Sequence, residues 1–164
     1  MSEISALASN IAQMLSERKH TISIAESSSG GLISAALLAV PGASSYFLGG
    51  AVVYTGQAKQ VLVGLDKATT GSYRPATPRH AIDLARCARK TLEATWGLGE
   101  TGAAGPTGNR YGDPPGHTCI AVAGPIDLST TIETGQSERE SNMNAFAVAA
   151  LRLVEKALVE GPST

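Results

Sequence analysis

Aromatic side chains are scarce, with Trp, Tyr and Phe making up 4% of the 164 residues. The core must therefore be built from Ala, Val, Leu and Ile, and such small side chains favour helices lying close on a sheet. Net charge is nearly absent as well. The 13 Lys and Arg against 14 Asp and Glu leave −1, which gives no general attraction to a phosphate backbone or an anionic lipid surface. The chain is expected to bind neither nucleic acid nor membrane. No apolar run approaches the roughly 20 residues that span a bilayer, and the polar opening MSEISALASN lacks the charged-then-apolar layout of a secretory leader. The two cysteines, Cys87 and Cys119, sit in apolar stretches and read as small buried hydrophobes of a reducing compartment, not as a disulfide. Cytoplasmic residence follows as the expectation.

Several chemical motifs are missing too. His20, His80 and His117 have no ligand partner at metal-binding spacing, so no metal is expected. The stretch SSSGG lacks the glycine spacing and the Gly-Lys-Ser/Thr ending of a phosphate loop, and no clear helix follows the glycines of GAAGPTG. No cofactor is expected. The G-x-S-x-G elbow of the common serine hydrolases does not occur.

What remains is a chain with 43% hydrophobic and 16% charged residues, suited to one globular domain over residues 1–164. Leu7, Ile11, Met14 and Leu15 recur at helical spacing. TISIAES then SSSGG reads as strand, tight turn and helix start, with that helix running over 32–40 until Pro41-Gly42. GGAVVYT reads as a second short buried strand, and QAKQVLVGL as a two-turn helix closed by Gly64. Residues 66–77 read as irregular. Thr77-Pro78 opens a long helix ending near Trp96-Gly97, because Thr caps well and Pro suits the first helical position. WGLGETGAAGPTG is a weak strand entering a glycine-rich loop, NRYGDPPGH is an exposed and mobile loop, and HTCIAVAGP and LSTTIETG are two further strands, the second half-exposed at an edge. The last helix covers 139–159. This order gives an α/β fold: a three-layer α/β/α sandwich around a mixed, mainly parallel sheet.

In parallel strand–helix units, strand carboxyl ends and helix amino ends share one rim, where ligands bind. Ser27, Ser28 and Ser29 follow the first strand, Tyr54 ends the second, Lys59 lies in the next helix, and Thr101, Gly102 and Gly105 follow the third. All should face one crevice. A serine becomes nucleophilic when a neighbouring base takes its proton, and a lysine neutralised by burial is such a base. A tyrosine can relay or orient that proton, while free N–H groups at residues 28–31 or in GAAGPTG can stabilise an oxyanion. Each group taken alone also has a bland reading: serines ahead of a helix are caps, a helical lysine is a solvated charge, a tyrosine is half-buried packing, and a Gly-Pro-Gly loop is a turn.

The wording and order of these residues resemble the CinA C-terminal family, which includes the nicotinamide-nucleotide amidohydrolases. TISIAESSSGGLISAALLAVPGASSYFLGGAVVYTGQAK is similar to that family's A-E-S-x-x-G-G turn, P-G-x-S-x-x-F-x-G-G segment and Y-x-x-x-A-K ending, and ETGAAGPTG to its T-G-x-A-G-P loop. The resemblance implies Ser27 as nucleophile, Lys59 as general base and Tyr54 as third member of the proton network. Ser28, Ser29, Gly30, Gly31, Thr101, Gly102, Gly105 and Arg139 would then seat the substrate. It implies hydrolysis of the carboxamide of nicotinamide mononucleotide to nicotinic acid mononucleotide and ammonia, without metal or cofactor. By this resemblance the chain is expected to be like the standalone enzymes, which have no upstream molybdopterin-binding-like domain. The chain departs from the family in having Ser28-Ser29 for Cys-Thr, and in the stretches TTGSYRPATPRHA and NRYGDPPGH. Two alternatives follow: a module that binds the nucleotide without turning it over, or an amidohydrolase for another small amide. A homodimer is expected, covered through the Ala-rich last helix and the edge strand at 128–134.

Overall fold

The computed structural model describes residues 1–66, 68 and 74–163. The first apolar stripe folds as α1 (Glu3–Arg18), opened by Ser2, whose side chain accepts from the Ser5 N–H, and closed by Lys19 in the left-handed region. β1 (Ile22–Glu26) is buried throughout and leads through the serine turn into α2 (Leu32–Leu38). After a short 3-10 turn come β2 (Phe47–Val52) and α3 (Gly56–Val63), the latter capped by Thr55 and stopped by left-handed Gly64. α4 (Pro78–Thr91) has the Thr77 cap and the proline at its start that the sequence suggests. β3 (Trp96–Ala103), β4 (His117–Ala123), β5 (Leu128–Glu133) and α5 (Arg139–Glu160) complete the chain.

Several boundaries differ from expectation, α2 ending at Leu38 and not at residue 40. The second strand starts at Phe47, and its residues alternate between half-buried and exposed because it forms a sheet edge. α4 ends at Thr91, where Leu92 and the positive φ of Glu93 turn the chain, so Trp96 and Gly97 belong to β3. Of the stretch expected to be irregular, residues 67 and 69–73 lie outside the described residues.

The strand order is β2-β1-β3-β4-β5. β1 pairs parallel with β2 and β3, while β4 is antiparallel to both neighbours, so β4 alone runs against the other four. Alternate side chains of the strands point to opposite faces. Ile22, Ile24, Trp96, Leu98, Ile120 and Val122 meet α1, α2 and α5 on one face. On the other, Ala81 and Ala85 of α4 pack on Cys119, Ala121 and Ala123. The scarcity of large side chains is used here: a Cβ on Gly97 would come 2.0 Å from the Ala85 carbonyl oxygen, and one on Gly99 2.3 Å from that of Ala81. α4 therefore lies directly on the β3 backbone, and its amino end reaches the carboxyl end of the strand.

Candidate active site

Glu26, the last residue of β1, pairs in register with Glu100, beyond which β3 continues to Ala103. Both side chains are fully buried. Buried carboxyls need partners on every oxygen, and the following turn supplies them. Glu26 accepts from the N–H groups of Gly31 (2.9 Å), Ile33 (3.2 Å) and Ser34 (2.9 Å) and from the Ser34 hydroxyl (2.8 Å). It thus caps α2 from below, taking up N–H groups that the start of a helix leaves without partners. Glu100 accepts from the N–H groups of Ser27 (3.0 Å) and Ser29 (2.9 Å), from the Ser28 hydroxyl, and from the Thr118 hydroxyl (2.7 Å). The Ser29 hydroxyl sits between the two carboxyls, 2.7 Å from Glu26 and 2.9 Å from Glu100.

This network bears on the cap reading of the serines. None of them caps α2, whose N-cap is Gly31 with no side-chain bond. Ser28 and Ser29 have their hydroxyls committed to carboxyl oxygens. Ser27 Oγ has no hydrogen bond among the described residues, although the residue is buried and its N–H is held by Glu100. The free N–H groups expected over residues 28–31 reduce to one. Ser29 and Gly31 donate to glutamates and Gly30 to the Ser27 carbonyl (3.1 Å), which leaves the Ser28 N–H uncommitted. It is the amide that follows the free hydroxyl in sequence.

Lys59, the fourth residue of α3, is only 6% exposed and so is no solvated charge. Burial pushes its ammonium below the ordinary lysine range, with the Glu100 carboxyl opposing that shift. His80 lies in the first turn of α4, buried, and neither ring nitrogen has a partner among the described residues. Burial, with the Lys59 charge as a second cause, lowers its pKa to about 4.

Tyr54 stands at the rim, not in packing: it is 61% exposed and its hydroxyl accepts from Arg139 Nη2 at 3.2 Å. Arg139 Nη1 donates to the Gly105 carbonyl, so Tyr54, the glycine loop and the start of α5 meet at one corner. Met143, one turn on, covers Gly30, where a Cβ would come 2.6 Å from its methyl. Thr101 is buried, its hydroxyl accepting from the Ala76 N–H (3.0 Å) and so tying β3 to the entry of α4. Gly102 allows the close approach of β4, since a Cβ there would lie 2.4 Å from the His117 carbonyl oxygen.

The NRYGDPPGH loop is partly exposed and cross-linked by its own side chains. Asp113 pairs with Arg74 (2.7 Å) and accepts from Asn109 (2.8 Å), whose own side chain takes the Tyr111 and Asp113 N–H groups. The Arg74 hydrogen bond is the main cause that holds the Asp113 carboxyl below its usual range. The stretch TTGSYRPATPRHA falls partly on residues 69–73, outside the described residues.

Sequence reading missed Glu26, Glu100 and His80 as site groups. The available signal was an acidic residue closing an otherwise apolar strand, in IAES and GLGETG.

The chain belongs to the CinA C-terminal domain family, whose model matches residues 4–158. A CinA-like protein of Desulforapulum autotrophicum is 35% identical over 151 residues, which cover 91% of this chain and 36% of that protein. The chain thus spans about a third of the length of the curated relatives it matches. Among solved structures, the competence/damage inducible protein CihA from Agrobacterium tumefaciens superposes with a TM-score of 0.89 at 28% identity, covering 98% of both chains. The competence damage-inducible protein A from Klebsiella pneumoniae reaches 0.90 at 20% identity and shares the fold. No helix among the described residues is long and apolar enough to cross a membrane.

Proposed function

We propose that this chain is an amidohydrolase that converts the carboxamide of nicotinamide mononucleotide to the carboxylate, releasing nicotinic acid mononucleotide and ammonia. The observation that supports the reading is that Glu100 both holds the N–H of Ser27, whose hydroxyl is uncommitted among the described residues, and acts on the buried Lys59, whose charged form burial disfavours.

In the reaction, Lys59 Nζ takes the Ser27 Oγ proton as the oxygen attacks the carboxamide carbon. The C=O π electrons move onto oxygen, and the resulting oxyanion is met by the Ser28 N–H. Collapse of the tetrahedral intermediate breaks the C–N bond, and the Lys59 ammonium returns its proton to the departing nitrogen as ammonia. Water, deprotonated by Lys59, then attacks the Ser27 ester and frees the acid. Tyr54 and Arg139, already joined at the rim, close this network and, with the loop at Thr101, Gly102 and Gly105, seat the nucleotide.

Ammonia release from nicotinamide mononucleotide is the test. The unaltered chain releases it, and Ser27→Ala and Lys59→Ala lower the rate by at least about 1000-fold; equal rates in all three would refute the reading.

A homodimer is also proposed, across the β2 edge. The exposed side of β5 presents Ser129, Thr131 and Glu133, and the apolar face of α5 is buried within the chain. Leu48 and Val52 on β2 and Val61 and Leu62 on α3 are the exposed apolar side chains that a second copy would cover. Light scattering that gives the mass of one chain at micromolar concentration would contradict it.

A further inference from the structure

His80 is the one site group that the proposed reaction leaves without a task. Buried polar atoms are almost always paired, yet both its ring nitrogens are sealed from solvent and unpartnered among the described residues. An apolar side chain would fill the same volume without leaving a donor and an acceptor unused.

The helices explain what lies opposite. Lys59 is one turn ahead of Val63 on α3, and His80 one turn ahead of Leu84 on α4. Val63 and Leu84 belong to a single apolar cluster with Ala25 and Val53. Lys59 and His80 each lie one turn back from that cluster, toward the helix starts, and the Lys59 charge acts on the ring. Both are buried to the same degree, at 6% exposed. The charged groups acting on this corner are Lys59 from α3 and, on Lys59, Glu100 from β3. The ring itself stays neutral down to about pH 4, so across the physiological range it has one N–H and one free lone pair.

We infer that His80 is a positioning residue acting through Lys59: on taking the Ser27 proton, the Lys59 ammonium moves to donate a hydrogen bond to the neutral imidazole, whose ring nitrogens are unbonded in the structure. No covalent bond changes in this step. The proton stays on Lys59, and the imidazole lone pair with the Glu100 carboxyl holds the cation in place until the leaving nitrogen needs it. The inference rests on the proposed role of Lys59.

Two substitutions separate this role from packing. His80→Phe and His80→Leu keep apolar volume and remove the acceptor, while His80→Gln keeps an acceptor and fits the volume less well. The Lys59 titration is followed by NMR of lysines labelled at the ε-carbon, in the free protein, alongside the pH profile of ammonia release. Loss of the acceptor destabilises the ammonium, so in H80F and H80L the Lys59 titration and the acid limb of turnover move down by about one pH unit, a tenfold change in the charged-to-neutral ratio. In H80Q both stay within about 0.3 units of the unaltered chain. A Lys59 titration unmoved in H80F and H80L, with H80Q the more damaged form, would overturn the inference. Shifted Lys59 titrations in a protein that releases no ammonia would uphold it and defeat the amide reading instead.

Discussion

The neutral, buried His80 makes stability depend on acidity in a way that can be computed. In the unfolded chain a histidine titrates near 6.5, and in the folded protein His80 is lowered to about 4. Between those values the unfolded state holds a proton that the folded state refuses. The contribution is therefore fully present above pH 6.5, falls as pH drops, and levels off once pH passes the folded value. One unit of difference corresponds to 1.36 kcal/mol, which gives a loss of about 2 kcal/mol between pH 7 and pH 5 and about 3 kcal/mol in all. Urea unfolding followed by the single, buried tryptophan, Trp96, is a direct assay. His20, which accepts from Trp96 Nε1 (3.2 Å) and is itself lowered by burial, contributes to the slope in every form. The comparison with His80→Phe removes that background. The unaltered chain should lose about 2 kcal/mol more than H80F between pH 7 and pH 5. Equal losses would mean that the ring is hydrated or partnered in solution, and the description of His80 as buried and neutral would be wrong.

Other consequences follow from the same structure. Lys59 is lowered by burial, so the unfolded state holds its proton more firmly at neutral pH and the folded state carries that cost. Lys59→Met should raise the urea midpoint at pH 7, with the gain shrinking as pH rises toward the lysine range, while ammonia release is lost; a lower midpoint at pH 7 would contradict it. Glu26→Gln offers one acceptor oxygen where the carboxyl offers two and turns an NH2 toward N–H donors at the start of α2, at a cost of about 3 kcal/mol in unfolding free energy. Gly99→Ala drives a Cβ to 2.3 Å from the Ala81 carbonyl oxygen, and because backbone must move to relieve it, calorimetry should register a loss of about 3 kcal/mol.

Much of this fold was legible because its signals are local. Thr77-Pro78 and Gly64 mark helix ends by the geometry of one or two residues, and the alternation in LSTTIE shows a half-exposed edge directly. The second strand was harder, since FLGGAV has two glycines and owes its place to the β1 backbone beside it. The site was legible in part: the order of Ser27, Tyr54 and Lys59 along the chain pointed to one rim through the parallel topology. What sequence could not supply was the pairing of Glu26 with Glu100. That depends on the register between strands more than 70 residues apart in the chain, and with it went the knowledge of which serine hydroxyl stays free. Tyr54 likewise looks like packing until Arg139, from the last helix, is seen beside it.

The central claim is that Ser27 forms an ester with the substrate acyl group. Mixing the chain with nicotinamide mononucleotide, quenching in acid within milliseconds and mapping peptides by mass spectrometry tests it most directly. The account predicts the nucleotide acyl mass on the peptide that carries Ser27, appearing together with ammonia and absent from Ser27→Ala. Ammonia released at the full rate by Ser27→Ala, with no acyl group on any serine, would contradict it.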